Sequence, residues 1–162
     1  MRARALVGAL AVACALLFAA NAHAFGLSGG GVRLGYLDPE ASDGGVLLGG
    51  HLEFEQPDSY WHIRPSVLYW NADPLNGWNL NVDGLYHFGP QVKTVPYLGA
   101  GLGASIVSVD GAGGGSHADL GVNLFGGVQI PAGGNHLFLE GRYTLSDVNQ
   151  TSIALGYTIH SH

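Results

Sequence analysis

Hydrophobic and polar residues alternate along most of the chain beyond residue 25. The clearest run spans residues 98–106, where leucine, alanine and isoleucine take every second position and glycine and serine take the others. Successive side chains of a β-strand point to opposite faces, so this period of two predicts a strand with one apolar face. Beyond the first segment, no stretch has the roughly 18 consecutive apolar residues of a membrane helix. The chain is therefore predicted to be all-β.

Eight runs of this kind occur, each bounded by residues that favour turns. They span residues 32–36, 48–55, 61–70, 78–88, 98–106, 119–130, 137–145 and 152–160. The connections are 37–45, 71–77, 110–117 and 146–150 after the odd runs, and 56–59, 89–94 and 131–135 after the even ones. Asp, Asn, Gly and Pro fill these connections, as tight turns require. Short connections favour an antiparallel up-and-down meander over a Greek key.

Eight such strands can close into a barrel, and the residues on their polar face distinguish a barrel in water from a barrel in a membrane. A soluble barrel turns its apolar face inward, whereas a membrane barrel turns that face to lipid. The polar face here is rich in glycine, has no lysine and carries both signs of charge, as suits a narrow interior. Aromatic residues lie near the ends of the apolar runs, where they would meet the lipid headgroups. We predict an eight-stranded antiparallel transmembrane β-barrel; a soluble sandwich with aromatic residues in its core is the alternative.

Charged residues at the polar positions are expected to fill the lumen of this barrel. Eight strands leave just enough interior space for side chains, and opposite charges can neutralise one another there. The predicted structural charge network consists of Arg33, Glu53, Arg64, Asp83, Asp119, Glu140 and Arg142.

The first 24 residues have the pattern of a secretory signal peptide. Arg2 and Arg4 precede an apolar stretch at 5–20, and Ala22-His23-Ala24 has the small-x-small form of a cleavage site. We predict cleavage after Ala24 and a barrel domain at residues 25–162; a retained membrane helix is disfavoured because the apolar stretch is short. Cys14 lies in this leader, so the mature chain would have no disulfide.

Composition and charge narrow the possible functions. Only 11% of the 162 residues are charged, against about 25% in typical soluble domains, and 27 residues are glycine. The formal net charge of −6 disfavours nucleic acid as a partner, because that binding depends on Lys and Arg neutralising phosphates. The same balance provides no basic patch for lipopolysaccharide phosphates.

Three segments resemble a known family. Pro-Tyr-Leu-Gly-Ala-Gly-Leu-Gly at 96–103, Asn-Leu-Phe-Gly-Gly at 123–127 and Phe-Leu-Glu-Gly-Arg-Tyr at 138–143 are similar to the small outer-membrane β-barrel domain family. This family includes opacity-type surface proteins and is similar in build to the transmembrane domain of outer membrane protein A. The resemblance implies a monomer in the outer membrane of a Gram-negative bacterium. It also implies contact with outer-membrane lipid and lipopolysaccharide, and insertion by the assembly machinery through the last strand.

Two features depart from the family pattern. Such proteins commonly end in an aromatic residue that the assembly machinery reads, whereas this chain continues through His160-Ser161-His162. The predicted external connections are also short, although adhesins of this group usually carry long ones. Both departures bear on function more than on fold.

The function predicted from the sequence is non-enzymatic, with a structural or surface-interaction role in the cell envelope. The alternatives are a narrow ion or small-solute channel and, third, a lipid A-modifying enzyme. Candidate catalytic groups for the enzyme would be His136, Ser146 and Glu140, or the pair Ser116-His117, but none forms a recognisable motif.

No cofactor and no metal site are predicted. His160-x-His162 could chelate weakly, and His51, His62 and His87 could converge in the lumen. Convergence cannot be read from spacing, so neutral lumen histidines bonded to carboxylates are the favoured interpretation.

Overall fold

The structure is a computed structural model that describes residues 25–40, 43–90, 93–109 and 115–161. The predicted leader, residues 110–114 and His162 lie outside the described residues. Within the described ranges, no helix is long and apolar enough to cross a membrane.

Eight strands form one closed barrel. They are β1 (Gly26–Pro39), β2 (Gly45–Glu55), β3 (Trp61–Ala72), β4 (Leu75–His87), β5 (Val95–Val109), β6 (Ser116–Ala132), β7 (Asn135–Leu145) and β8 (Gln150–His160). Each strand pairs antiparallel with its neighbours in the sequence, and β8 closes the barrel on β1. The predicted eight-stranded up-and-down fold is thereby confirmed.

The barrel has two ends, the terminal end and the loop end. The terminal end carries the starts of β1, β3, β5 and β7 and the ends of β2, β4, β6 and β8. The loop end carries the ends of β1, β3, β5 and β7 and the starts of β2, β4, β6 and β8.

Side-chain burial alternates along the strands as the sequence pattern predicts. In β7, every second residue from His136 to Thr144 is buried, while Leu137, Leu139 and Leu145 are exposed on the outer wall. Ala104 of β5 departs from this alternation: it belongs to the outer face yet is buried, because it pairs with Leu80 and Leu120 on either side. The wall is therefore apolar outside and the lumen is filled with polar, charged and aromatic groups.

Several strands are longer than their sequence runs. The predicted connection at 71–77 shrinks to a turn at Asp73-Pro74, because Asn71 pairs with Asn76 and Ala72 with Leu75. The connection at 131–135 shrinks to Gly133 and Gly134, whose φ angles of 63° and 87° are those of a two-residue hairpin turn. Ladder pairing with the neighbouring strand outweighs the turn propensity of these residues.

Glycines lie opposite the largest lumen side chains. Arg33 pairs with Gly49 of β2 and Gly156 of β8. Asp83 pairs with Gly101, and Glu140 pairs with Gly127. Each glycine leaves space for the long group on the adjacent strand, so the lumen can fill without widening the barrel.

Aromatic rings on the outer wall form a cluster at each end of the apolar belt. At the terminal end, Trp61 contacts Tyr86 with ring centroids 5.1 Å apart; toward the loop end, Tyr69 and Trp78 have the same separation. Eight residues separate the two clusters along β3, or roughly 27 Å of strand, which covers roughly 20 Å of bilayer at a tilt of about 40°. This spacing places rings at both borders of a hydrocarbon layer.

Candidate functional site

The centre of the lumen holds a compact group of six charged side chains. It consists of Arg33, Arg64, Arg142, Glu53, Asp83 and Glu140, all of them buried. Arg64 Nη2 lies 2.7 Å from Glu53 Oε1, and Arg142 Nη2 lies 2.7 Å from Asp83 Oδ2. Three cations face three anions, so the network is neutral as a whole.

Glu140 lies at the centre of this network. Its Oε1 accepts hydrogen bonds from Arg33 Nη1 at 3.2 Å and from Arg142 Nη2 at 2.9 Å. Its Oε2 accepts hydrogen bonds from Arg64 Nη1 and from the Tyr97 hydroxyl, both at 2.9 Å. Each carboxylate oxygen is thus engaged by charged or hydroxyl donors, which is the condition for a stable buried charge.

Six of the seven residues predicted for the network are brought together in this way. The prediction is wrong for Asp119, which lies outside the network. It lies on β6 near the loop end, is partly exposed, and accepts a hydrogen bond from the backbone N–H of Leu120 at 2.7 Å. Strand parity gives the face of a residue but not its height along the barrel. Asp119 therefore shares the inward face of the network without reaching it.

Aromatic rings separate and cover the arginines. The Arg142 guanidinium carbon lies 4.4 Å from the Phe125 ring centroid, and that of Arg64 lies 4.9 Å from the Phe138 centroid. Phe138 also lies under Arg33 at 5.3 Å. Cation–π contacts of this kind stabilise desolvated cations. The sequence pattern places Phe125 and Phe138 on the polar face, which indicates a position in the lumen. The predicted network contains only charged residues and therefore leaves out these two rings.

A layer of amides and hydroxyls lies between the network and the loop end. Asn123 Nδ2 donates to Asn81 Oδ1 at 2.9 Å, and the Thr144 hydroxyl donates to Asn123 Oδ1 at 2.8 Å. Asn79 Nδ2 donates to Gln150 Oε1 at 2.9 Å.

An apolar layer lies beyond the amides, closest to the loop end. Its buried members are Leu37, Leu47, Leu68, Trp70, Ala72, Leu75 and Ala154. Trp70 is anchored to the amide layer through its indole N–H, which donates to Asn79 Oδ1 at 3.2 Å. A cavity of about 440 Å³ lies above this layer at the loop end, with Ser105, His117, Asp119 and Asp147 among its lining residues. Leu75 of the apolar layer and Gln150 of the amide layer also line this cavity.

Histidines occupy the terminal end of the lumen. The rings of His62 and His87 lie 4.4 Å apart, so two of the three histidines considered in the sequence do meet. His51 instead bonds Thr158 Oγ1 through Nε2 at 2.9 Å. His136 and His160 form a second ring pair at 4.7 Å, and His136 Nε2 lies 3.5 Å from Glu53 Oε2.

Of the two candidate catalytic sets, the one formed by His136, Ser146 and Glu140 is not assembled. His136 and Ser146 lie at opposite ends of β7, and Glu140 between them is engaged by three arginines. Ser116 and His117 are consecutive residues at the start of β6, and both line the cavity at the loop end together with Ser146 and Asp147. His117 approaches Asp147, with Nε2 3.4 Å from Oδ2, in an exposed position.

Fold and lumen together define the class: an eight-stranded β-barrel of the outer-membrane type with a filled interior. No protein-family model matches the sequence, and no curated protein matches it at a significant level. Solved structures do match. Neisserial surface protein A has a TM-score of 0.67 at 15% identity, with 82% of this chain and 95% of that chain covered.

Two further structures support the same class. The N-terminal β-barrel domain of Pseudomonas aeruginosa OprF has a TM-score of 0.64 at 17% identity, covering 83% of this chain and 99% of that domain. Ail, the attachment invasion locus protein of Yersinia pestis, solved with the heparin analogue sucrose octasulfate, has a TM-score of 0.50 at 14% identity. It covers 83% of this chain and all of its own. These similarities confirm the predicted barrel architecture of small outer-membrane proteins.

Proposed function

We propose that this chain is a non-enzymatic outer-membrane β-barrel protein of a Gram-negative bacterium, with a closed lumen and a structural or surface-interaction role in the envelope. The observation that carries the proposal is the buried, neutral network of six charges around Glu140. An apolar layer with Trp70 at its centre covers the network toward the loop end. An ion crossing the barrel would have to displace both.

The outer wall supports a location in lipid. Leucine, valine and isoleucine side chains are exposed on every strand, for example Leu34, Leu98 and Leu155 at more than half of their surface. Exposing so much apolar surface to water is strongly unfavourable, whereas in a bilayer it is the expected arrangement. In this orientation the terminal end faces the periplasm and the loop end faces outward.

The arrangement also supports a role without catalysis. Glu140 is engaged in the network, and His136 lies far along the barrel from Ser146. Ser116, His117 and Ser146 do line one cavity at the loop end, where His117 approaches the exposed Asp147. The exposed loop end, with His117, Asp119 and Asp147 around its cavity, is the surface that would meet partners outside the cell.

Planar-bilayer conductance tests the closed lumen against the narrow channel. The purified protein should give no discrete current steps, while a porin with roughly 16 strands, measured in the same bilayers, provides the positive control. Regular steps that depend on the added protein would contradict a closed lumen and favour the channel.

Lipid A mass analysis tests the absence of catalysis. Lipid A from cells with and without the protein should have identical masses. Loss or gain of an acyl chain that depends on the protein would contradict the proposal and favour the lipid A-modifying enzyme.

A further inference from the structure

Three potential metal ligands converge at the terminal end of the lumen. Glu53 of β2, His136 of β7 and His160 of β8 each offer a ligand atom, and these atoms all lie within 4.8 Å of one another. Glu53 and His136 are buried and His160 is half-buried. We propose that these three side chains bind a divalent transition-metal ion, with Zn²⁺ as the expected occupant.

The backbone register creates the space for such an ion. Gly29 of β1 pairs with Glu53 on one side and with His160 on the other. A Cβ at residue 29 would lie 3.2 Å from Thr158 Cγ2 and 3.3 Å from His160 Cα. Because glycine stands there, no side chain separates the carboxylate from the imidazole of His160.

The distances suit zinc. Ligand atoms about 2.0–2.1 Å from a tetrahedral zinc ion stand about 3.3 Å from each other. His136 Nε2 and Glu53 Oε2 are 3.5 Å apart, which is close to that edge. His160 lies half-buried at the end of β8 and offers a ring nitrogen within 4.8 Å of the ligand atoms of Glu53 and His136.

The hydrogen bonds of these groups leave the ligand atoms available. Glu53 Oε1 is held by Arg64, at 2.9 Å from Nε and 2.7 Å from Nη2, which fixes the carboxylate and leaves Oε2 toward His136. Neither ring nitrogen of His136 makes a hydrogen bond, nor does Glu53 Oε2 or His160 Nδ1. Buried polar atoms normally have partners, and a shared metal ion would satisfy this set.

The donor set indicates the class of metal. Two imidazoles and one carboxylate suit zinc, and the same nitrogen donors also accept copper or nickel. Three protein ligands would leave a fourth tetrahedral position for water. This proposal does not depend on whether the protein is structural or conducting, because metal binding is measured on the folded barrel alone.

Calorimetric titration with Zn²⁺ alone tests the site. The untagged protein is extracted in detergent, freed of metal with a chelator and checked for folding by gel mobility before and after heating. One Zn²⁺ per chain should bind. His136→Ala and His160→Ala should each weaken binding by about tenfold or more, because each removes a ligand.

Two matched histidine variants serve as controls. His117→Ala changes an exposed histidine at the loop end, and His162→Ala removes the second histidine of the His160-Ser161-His162 sequence. Both should bind Zn²⁺ like the parent protein. Should His136→Ala fail to fold, His160→Ala decides, since that side chain lies at the end of a strand.

Three outcomes would overturn the proposal. The first is no Zn²⁺ binding by the parent protein, which would leave His136 and Glu53 as a buried polar contact. The second is unchanged binding in His160→Ala. The third is binding lost in His162→Ala and retained in His136→Ala, which would assign the ion to the chain end.

Discussion

Glu140 is the residue on which the lumen network depends most. Four donors from four strands converge on its carboxylate: Arg33, Arg64, Tyr97 and Arg142. Each arginine is desolvated by burial, and its neutralisation comes from the carboxylates around it. Removing this charge would leave three arginines facing two carboxylates inside the barrel.

Glu140→Gln should therefore lower the free energy of unfolding by roughly 3–5 kcal/mol, because it leaves a buried cation uncompensated. Chemical denaturation of the protein in lipid vesicles measures this loss. Tyr97→Phe, which removes one donor and no charge, should cost less, roughly 1.5–3 kcal/mol. A loss below about 1 kcal/mol for Glu140→Gln would indicate solvated charges and contradict a sealed network.

Leu139 and Thr144, on the same strand, test the assignment of faces. Leu139 lies on the outer wall near the middle of β7, so Leu139→Arg should cost roughly 2–4 kcal/mol in a bilayer. Thr144→Ser keeps the lumen hydroxyl that bonds Asn123 and should cost little. The measurement is again denaturation in vesicles, and equal costs at the two positions would show that the faces are misassigned.

The sequence predicts correctly on which face of the barrel wall a residue lies, but it does not predict the height of that residue along the barrel axis. Alternation assigned Glu53 and Arg64 to the lumen correctly, because a period of two follows from strand geometry alone. It could not separate Asp119, at the loop end, from the network, since height depends on strand register. The approach of His136 to Glu53 likewise joins strands that are far apart in sequence. No spacing along the chain encodes it.

At the scale of elements, the strands fit together through glycine opposite aromatic residues. Gly156 of β8 pairs with Phe138 of β7, and a Cβ at Gly156 would overlap the Phe138 ring. That ring is held against Arg33 and Arg64, so it has little freedom to move aside.

Gly156→Ala should accordingly destabilise the barrel by roughly 1–3 kcal/mol through overpacking. Gly141→Ala is the matched control: this glycine lies on the outer wall of β7, with nothing within 4 Å of an added Cβ. Its effect should stay within about 0.5 kcal/mol. Denaturation of both variants in vesicles provides the comparison, and a neutral Gly156→Ala would mean that Phe138 can repack.

Element boundaries were predicted less well than element number. All eight strands were found, because alternation persists through the centre of each. Asn76 and Gly77 were assigned to a connection because of their turn propensity, yet they extend β4 by pairing with β3 and β5. Local propensity is weak beside the gain from continuing two ladders.

At the scale of the whole molecule, an arrangement with apolar side chains on the outer wall and polar side chains in the lumen accounts for both the composition and the fold. The low charge content supplies an apolar wall, and most of the charge on the strands is gathered into a neutral lumen network. Arginine, glycine and aromatic residues in the interior replace the hydrophobic core of a soluble domain. The sequence alone was sufficient for this architecture, because the alternation predicts eight strands with one apolar face and the glycine-rich polar face without lysine indicates that the polar side lies inside.

Cell fractionation combined with gel mobility before and after heating tests this arrangement most directly. We expect the protein in the outer-membrane fraction, migrating as a compact band in unheated detergent and at its full mass after boiling. Recovery as a freely soluble periplasmic protein, with mobility unaffected by heating, would contradict an apolar wall that faces lipid.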